Sequence, residues 1–370
     1  MRRKCFGFLL VLSFLFSAAQ ASETLSVDAK GAVLIDGASG RILFAQNADA
    51  MLPEASCTKI MTALVALENS TLEEEVTAGK NAHGVTGTSI YLSEGETLTM
   101  EQMLYGLMLR SGNDAAVAIA EHIGGSVEGF TEMMNKRAKE LDADANFVNP
   151  HGLDAEGHKA SALGLARIMR EAMTIPEFRQ ITGTQKKIIP WVGNEYSRVL
   201  QNKNRLLADY EGATGGKTGY TSKAGRCLVF SAERDGMELI GVVLNCYTWF
   251  DTAETILDYG FENFRMEHAL DKDERAASVN VKNGTAKTVS AVAAETLRAA
   301  VEKDAKPELI IETETLEAPI KKGEHIGRAM LKLNGEILAE CRLIAQEAVE
   351  KKDAASAFKT LLQNWILLPA

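Results

Sequence analysis

The sequence predicts an α+β protein, in which one sheet covered by helices is followed by a small β-rich domain and a C-terminal amphipathic helix. Strand-like runs at 32–44 and 216–244 lie on either side of a stretch with helical periodicity from Ser56 to about Leu141. Because strands come from both ends of this region, we expect them to form one sheet. A charged stretch at 267–277 separates it from short β-like runs.

The first strands are typical of a β-hairpin. Apolar runs at 32–35 and 41–44 flank the turn-forming residues 36–40. The helical stretch that follows is interrupted at 84–95 and at Gly124-Gly125, where glycines break the periodicity. We therefore expect several helices rather than one.

A second set of strands closes the first domain. Strands are predicted at 227–232 and 239–244, and a helix is predicted from about 251 to 264. These elements place the end of the first domain near residue 266. We predict that this domain spans 22–266.

The boundary between domains is marked by a change in composition. Residues 271–275 are all charged and carry no apolar side chain. Beyond them lie short β-like runs and a glycine-containing turn at 321–323. The runs are 279–281, 309–311 and 329–333. We predict a β-rich domain at 275–348.

The N-terminus has the features of a signal peptide. Arg2-Arg3-Lys4 forms a basic region, residues 6–18 are apolar, and Ala19-Gln20-Ala21 fits a cleavage site. We predict that residues 1–21 are removed and that the protein is exported, to the periplasm or the outer face of the cytoplasmic membrane. The alternative is an uncleaved anchor.

The C-terminal segment at 354–368 predicts an amphipathic helix. A helix of this kind that carries a tryptophan suits a membrane interface. The alternative is a helix that docks on the β-rich domain. Its apolar stripe consists of Phe358, Leu361, Leu362, Trp365 and Leu368.

Composition excludes some classes of function. The chain has 370 residues and a net charge of -10, which argues against nucleic-acid binding because that needs basic patches. No histidine or cysteine pattern has metal-ligand spacing, and we expect neither a metal nor another cofactor. We expect the four cysteines beyond the signal segment to be buried free thiols, at Cys57, Cys227, Cys246 and Cys341.

Ser56 and Lys59 form a Ser-x-x-Lys pattern at the start of an apolar helical stretch. Residues three apart lie on one face of a helix, so Ser56 Oγ and Lys59 Nζ can meet. A lysine can activate a serine only in its neutral form, which requires burial or a nearby cation. The pattern therefore requires a second positive group. Ser356 and Lys359 show the same pattern by coincidence.

Two further motifs complete the set. Ser111-Gly112-Asn113 follows a helical run, and Lys217-Thr218-Gly219 introduces a strand and supplies the required cation. Each motif alone is weak. The order Ser-x-x-Lys, Ser-x-Asn, Lys-Thr-Gly is much more specific, because it is the arrangement of penicillin-binding proteins and serine β-lactamases.

The surrounding segments extend this likeness over nearly the whole mature chain. Residues 53–62 resemble the active-serine segment of the low-molecular-mass D-alanyl-D-alanine carboxypeptidases, the S11 serine peptidases, and 109–116 resemble their second motif. Residues 149–153 and 216–221 match two further family segments, and 318–323 resemble the β-rich C-terminal domain. The resemblance implies an antiparallel sheet covered by helices, with a helical subdomain.

The resemblance implies roles for the catalytic residues. Ser56 attacks the carbonyl between the two terminal D-alanines of a peptidoglycan stem peptide, and Lys59 accepts its proton. Ser111 relays a proton to the departing D-alanine. Asn113 steadies Lys59 and the substrate amide. β-Lactam antibiotics are the expected covalent inhibitors.

It also implies a substrate-binding strand. Lys217 lowers nearby pKa values and helps to hold the substrate, and Thr218 binds the terminal carboxylate. Gly219 completes the motif. The backbone N–H groups of Ser56 and Tyr220 are expected to form the oxyanion hole.

Many members of the family that this chain resembles carry an arginine after the strand that follows Lys-Thr-Gly, associated with the substrate carboxylate, but residues 245–251 here contain neither lysine nor arginine. We therefore expect carboxylate recognition to rest on Lys217 and Thr218. His151 is predicted to be a structural turn residue.

Other functions remain open at this stage. A β-lactamase of class A has a glutamate after Ser-x-Asn that activates water, whereas 146–152 contain none and Glu156 is the nearest. A D,D-endopeptidase would use the same site. A non-catalytic scaffold would retain the fold without the activity.

Overall fold

The structure is a computed structural model that describes residues 25–352. The predicted signal peptide and the predicted helix at 354–368 lie outside these residues. The strands, in chain order, are β1 (Gly31–Asp36), β2 (Ile42–Gln46), β3 (Glu75–Thr77), β4 (Thr97–Thr99), β5 (Ala145–Asn146), β6 (Lys159–Ala160), β7 (Lys186–Ile189), β8 (Arg198–Gln201), β9 (Ala213–Thr221), β10 (Gly225–Arg234), β11 (Met237–Leu244), β12 (Phe264–Leu270), β13 (Arg275–Lys282), β14 (Thr288–Ala293), β15 (Leu297–Glu302), β16 (Glu308–Thr313), β17 (Leu316–Glu317), β18 (His325–Leu333) and β19 (Glu336–Ala345). The helices are α1 (Lys59–Asn69), α2 (Met100–Leu109), α3 (Asn113–Gly124), α4 (Val127–Glu140), α5 (Ala162–Ala172), α6 (Pro176–Gly183), α7 (Leu206–Asp209) and α8 (Trp249–Asn263).

A five-stranded antiparallel sheet forms the centre of the first part of the chain. Its strand order is β2-β1-β11-β10-β9. The predicted hairpin is therefore joined to the later strands in one sheet, as expected. Strand β9, which carries Lys217, lies at the sheet edge. An edge strand leaves backbone N–H and C=O groups available to a ligand.

The two faces of this sheet belong to different cores, because alternate strand residues point to opposite sides. Val33 and Val229 pack into the core that contains α1, whereas Leu34 and Leu228 pack with α8. Helix α1 is central, and its first eight residues are buried. This burial places Lys59 inside the protein and not on its surface.

The second part of the chain is β-rich, as predicted. One sheet has the order β16-β18-β19-β14-β13-β17, and β12 pairs separately with β15. Asp36 and Arg41 of the first hairpin contact the backbone of Ala300 in β15, at 3.0 Å to its N and 2.8 Å to its O respectively. The boundaries 22–266 and 275–348 remain predictions.

The predicted fold class is confirmed by this architecture. The pattern did not reveal β14, β15 and β19, because their small or polar residues give a weak alternation. The helix predicted at 251–264 begins instead at Trp249 and ends at Asn263, and Phe264 starts β12. Within residues 25–352, no helix combines the length and the apolarity needed to cross a membrane.

Candidate active site

The Ser56 side chain stands on a tight turn that leads directly into α1. Residues Ala55–Thr58 form a 3-10 helix, and Ala55 adopts a left-handed φ of 50°. Side chains three apart eclipse in such a helix. Ser56 Oγ lies 3.1 Å from Lys59 Nζ. The predicted meeting of these two groups is therefore confirmed, although the turn is 3-10 and not α-helical.

The Lys59 amine has a set of partners that suits its neutral form. Its Nζ lies 2.8 Å from Asn113 Oδ1 and 2.6 Å from the backbone oxygen of His151. A neutral amine has two N–H donors and one lone pair. If the two donors point to these two carbonyl oxygens, the lone pair faces Ser56 Oγ. This arrangement equips Lys59 to take the Ser56 proton.

The electrostatic environment favours the same form. Lys59 is 0% exposed. Burial, together with the positive charges of Lys217 and Lys203, holds the pKa of Lys59 well below its ordinary value. The Ser56–Lys59 pair was predicted to need a cation nearby, and Lys217 is that cation. Lys203 is a second one, and it was not predicted because it lies outside every motif.

Ser111 is held in a strained position. It is 3% exposed and has a left-handed φ of 62°. Its Oγ is buried and has no hydrogen-bond partner among residues 25–352. Strain and an unpaired polar atom together are typical of a functional site. The structure therefore leaves the Ser111 hydroxyl without a direct hydrogen bond to Ser56 or Lys59.

Asn113 is fixed by the loop between β3 and β4. Its Nδ2 donates to the Thr86 oxygen at 2.7 Å, and its backbone N donates to the Thr88 oxygen at 2.7 Å. The amide orientation is therefore set, so that Oδ1 is the atom that faces Lys59. The backbone oxygens of Thr86 and Thr88 carry no sequence signature, so these two contacts could not be predicted.

Strand β9 passes very close to the Ser56 turn. A Cβ at Gly219 would lie 2.7 Å from the Glu54 oxygen and 3.0 Å from Ser56 N. Only glycine allows this approach. It places the backbone of Gly219-Tyr220 beside Ser56 N. The expected oxyanion donors thus come from adjacent segments.

Lys217 and Thr218 line the same strand. The Lys217 side chain is 1% exposed, and its Nζ donates to the Thr218 oxygen at 2.8 Å. Burial lowers the pKa of Lys217 to about 7. Lys217 is therefore charged below that pH and neutral above it. Tyr220 is 65% exposed, which leaves its ring at the surface.

His151 fits the structural role that was predicted for it. Its Nδ1 accepts from Leu153 N at 3.2 Å. Burial, with Lys59 and His158 nearby, lowers its pKa to about 3. The imidazole is therefore neutral at working pH, and its backbone oxygen is the group that contacts Lys59.

Arg226 of β10 places a guanidinium beside residues 245–251, which themselves contain neither lysine nor arginine. It lies opposite Tyr220 in the β9–β10 pairing. Its guanidinium lies 4.6 Å from the Tyr247 ring centre and donates to the Tyr247 oxygen at 2.8 Å. These residues, with Trp249, line a cavity of about 510 Å³. The hairpin register would have revealed Arg226, because the pairing follows from the 222–224 turn.

The four cysteines among residues 25–352 are free and buried, as predicted. Cys57 is 0% exposed, and its Sγ lies 3.5 Å from the Lys217 oxygen. Burial raises its pKa well above the ordinary value, so the thiol stays protonated. Cys57 is therefore part of the core. No group of three or more metal-ligating side chains is present in the described part of the chain.

The chain matches two family models. Residues 17–248 match the model for D-alanyl-D-alanine carboxypeptidase, peptidase family S11. Residues 264–351 match the C-terminal domain of penicillin-binding protein 5.

Individual proteins are similar over nearly the full length. The D-alanyl-D-alanine carboxypeptidase DacF of Bacillus subtilis is 34% identical, with 96% of this chain and 96% of that protein covered. DacC of Escherichia coli is 34% identical, with 91% and 88% covered. The crystal structure of penicillin-binding protein 5 from Haemophilus influenzae is similar at a TM-score of 0.76 and 30% identity, with 88% of this chain and 99% of that chain covered.

Proposed function

Since the chain belongs to the D-alanyl-D-alanine carboxypeptidase family, the S11 serine peptidases, we propose that it removes the terminal D-alanine from peptidoglycan stem pentapeptides through an acyl-enzyme on Ser56. One observation carries this proposal. Lys59 Nζ lies 3.1 Å from Ser56 Oγ, and its two other contacts are both acceptors. The pair is thus prepared for nucleophilic attack.

In the acylation step, Ser56 Oγ bonds to the carbonyl carbon of the penultimate D-alanine while Lys59 takes the hydroxyl proton. The developing oxyanion accepts from Ser56 N–H and Tyr220 N–H. The C–N bond then breaks, and the departing amine takes a proton through Ser111. The unpaired and buried Ser111 hydroxyl supports that role. Water finally hydrolyses the ester and frees Ser56.

The substrate ends in a carboxylate, which needs donors or a cation. Thr218 and Lys217 supply these from β9. Arg226 can also bind this carboxylate, because it forms no ion pair within residues 25–352 and lies beside Tyr220. Stacked arginines are suited to carboxylates. On this proposal, Arg226→Gln weakens binding of the free acid but not of its amide.

β-Lactams present a strained amide to the same nucleophile. We expect benzylpenicillin to acylate Ser56 and to stay attached, because 146–152 offer no glutamate to activate water. Rapid hydrolysis of penicillin without an adduct would favour a β-lactamase. A labelled penicillin that tags neither the wild type nor Ser56→Ala would favour a scaffold.

A defined pentapeptide and a cross-linked dimer separate the two peptidase activities. The products are identified by mass after incubation with the purified protein. Loss of one D-alanine from the pentapeptide is the expected result. Cleavage of the dimer alone would favour a D,D-endopeptidase.

The place of action is part of the proposal. A substrate in the cell wall requires export, which the predicted signal peptide at 1–21 would provide. The predicted helix at 354–368 would hold the protein at the outer face of the cytoplasmic membrane. Sedimentation with vesicles, compared for the full chain and a chain that ends at 352, tests this attachment.

A further inference from the structure

We propose that the buried Glu54–His158 pair is a positioning device for the catalytic base: it fastens the turn that carries Ser56 to the loop that contacts Lys59. This inference rests on the proposed function, because it assigns the pair a task in the acylation of Ser56. Neither side chain reaches the cleft. Glu54 is 0% and His158 is 4% exposed, so neither can touch a substrate.

The pair forms a closed triangle with Thr58. His158 Nε2 lies 2.9 Å from Glu54 Oε1 and 2.9 Å from Thr58 Oγ1, and Thr58 Oγ1 lies 2.9 Å from Glu54 Oε1. Glu54 lies two residues before Ser56 and Thr58 two residues after it. The triangle therefore holds both ends of the turn that carries Ser56, on the buried side of that turn.

The second ring nitrogen of His158, Nδ1, contacts the segment that contains Val148. The backbone N–H of Val148 donates to His158 Nδ1 at 2.9 Å. Since a backbone N–H is always the donor, Nδ1 carries no proton and Nε2 carries it toward Glu54 and Thr58. One imidazole thus joins the bend at Val148, two residues after β5, to the Ser56 turn: Nδ1 accepts from the bend and Nε2 donates to the turn.

The segment after Val148 supplies a partner to the base. The backbone oxygen of His151 lies 2.6 Å from Lys59 Nζ. Gly152 lies directly on the turn, since a Cβ there would be 1.9 Å from the Ala55 oxygen. A shift of this loop against the turn would move an acceptor of Lys59. It would thereby turn the amine's lone pair away from Ser56.

The cluster also carries an energetic cost that packing alone does not explain. Glu54 Oε2 is buried and has no hydrogen-bond partner among residues 25–352. A buried and unpaired carboxylate oxygen is destabilising, and apolar residues of similar shape would avoid that cost. The unpaired Glu54 oxygen lies beside the turn that carries Ser56, and a destabilising group kept at this place is consistent with a role in positioning Ser56 and Lys59.

The experiment measures acylation by a fluorescent penicillin, as a rate constant and as the fraction labelled at completion. His158→Leu removes the acceptor at Nδ1 and the donor at Nε2, and with them the contacts to Val148, Glu54 and Thr58. We expect nearly complete labelling with a rate constant reduced at least about 10-fold, as for other supporting residues of active sites. His158→Gln keeps one acceptor and a donor, and we expect it to recover to within about 3-fold of wild type.

Asp36→Asn is the matched control, because Asp36 is also a 0% exposed carboxylate but lies at the opposite end of the sheet. It should label at the wild-type rate. A His158→Leu protein whose labelled fraction or melting temperature falls, while the folded molecules react at the wild-type rate, would show a merely structural pair and overturn the proposal.

If His158→Leu does not fold, Glu54→Gln is assessed by the same two readouts. Equal rate constants for the Leu and Gln variants at position 158 would also overturn the proposal. Failure of the proposed function itself is distinguishable, since the wild-type protein would then not label and would not release D-alanine.

Discussion

Replacing Gly219 by alanine perturbs the closest approach in the active site. The added methyl would lie 2.7 Å from the Glu54 oxygen, 3.0 Å from Ser56 N and 3.1 Å from Cys57 N. All three are backbone atoms, which cannot move aside as a flexible side chain can. An ordinary contact begins at 3.4 Å, so β9 and the Ser56 turn must separate by about 0.7 Å.

That separation pulls the Tyr220 N–H away from the oxyanion. Loss of one oxyanion donor lowers catalytic rates by about 10²–10³-fold, and a displacement of about 1 Å costs about 10²-fold. We therefore expect the rate constant for acylation by penicillin to fall about 10²-fold, measured by stopped-flow fluorescence under pseudo-first-order conditions.

Gly31→Ala serves as the control. It adds the same methyl to the same sheet, where the nearest atoms lie at 3.3 Å, and it should acylate at nearly the wild-type rate. A Gly219→Ala protein that acylates within about 3-fold of wild type would refute the reasoning, because the oxyanion hole would then not depend on this approach.

Three further predictions concern neighbouring residues. Lys217→Met removes a positive charge that lowers the pKa of Lys59. In a plot of the penicillin acylation rate constant against pH, the rise on the acid side should therefore move to higher pH. An unchanged position of this rise would mean that Lys217 does not act on Lys59. Ser111→Ala should slow release of D-alanine by about 10²-fold, as expected for loss of a proton-transfer group, in a peptide turnover assay; unchanged turnover would exclude the relay. Thr218→Ala and Arg226→Gln should each raise KM for a pentapeptide, and Arg226→Gln should leave KM for its C-terminal amide unchanged; equal effects on acid and amide would exclude Arg226 from carboxylate recognition.

The reactive side chains of the site were easier to predict from the sequence than the groups that hold them in place. Ser56, Lys59 and Lys217 are recognisable because the proposed reaction requires those side chains at those spacings, and periodicity located α1. Strand β9 was not predicted, because its run of small residues around Lys217 shows no alternation. The acceptors that complete the Lys59 environment were not predictable in this way, because they are backbone oxygens such as that of His151. Every residue has a backbone oxygen, so the residue types alone do not identify which oxygen contacts Lys59.

Contacts between residues that are far apart in the sequence could not be predicted either. Glu54 and His158 are 104 residues apart in the sequence, and nothing in either local pattern links them. Arg226 is an intermediate case, because its position opposite Tyr220 follows from the hairpin alone. The strands of the β-rich domain were missed where small residues replace the alternation of apolar and polar side chains, as in Thr288–Ala293.

The most direct test of the central claim is the release of D-alanine from a stem pentapeptide by wild-type protein and by Ser56→Ala, measured by mass spectrometry. We expect a tetrapeptide and free D-alanine from the wild type. In the variant we expect the rate of release to fall at least about 10³-fold, as for other nucleophile replacements. Release of D-alanine by Ser56→Ala at a rate near that of the wild type would contradict an acyl-enzyme on Ser56.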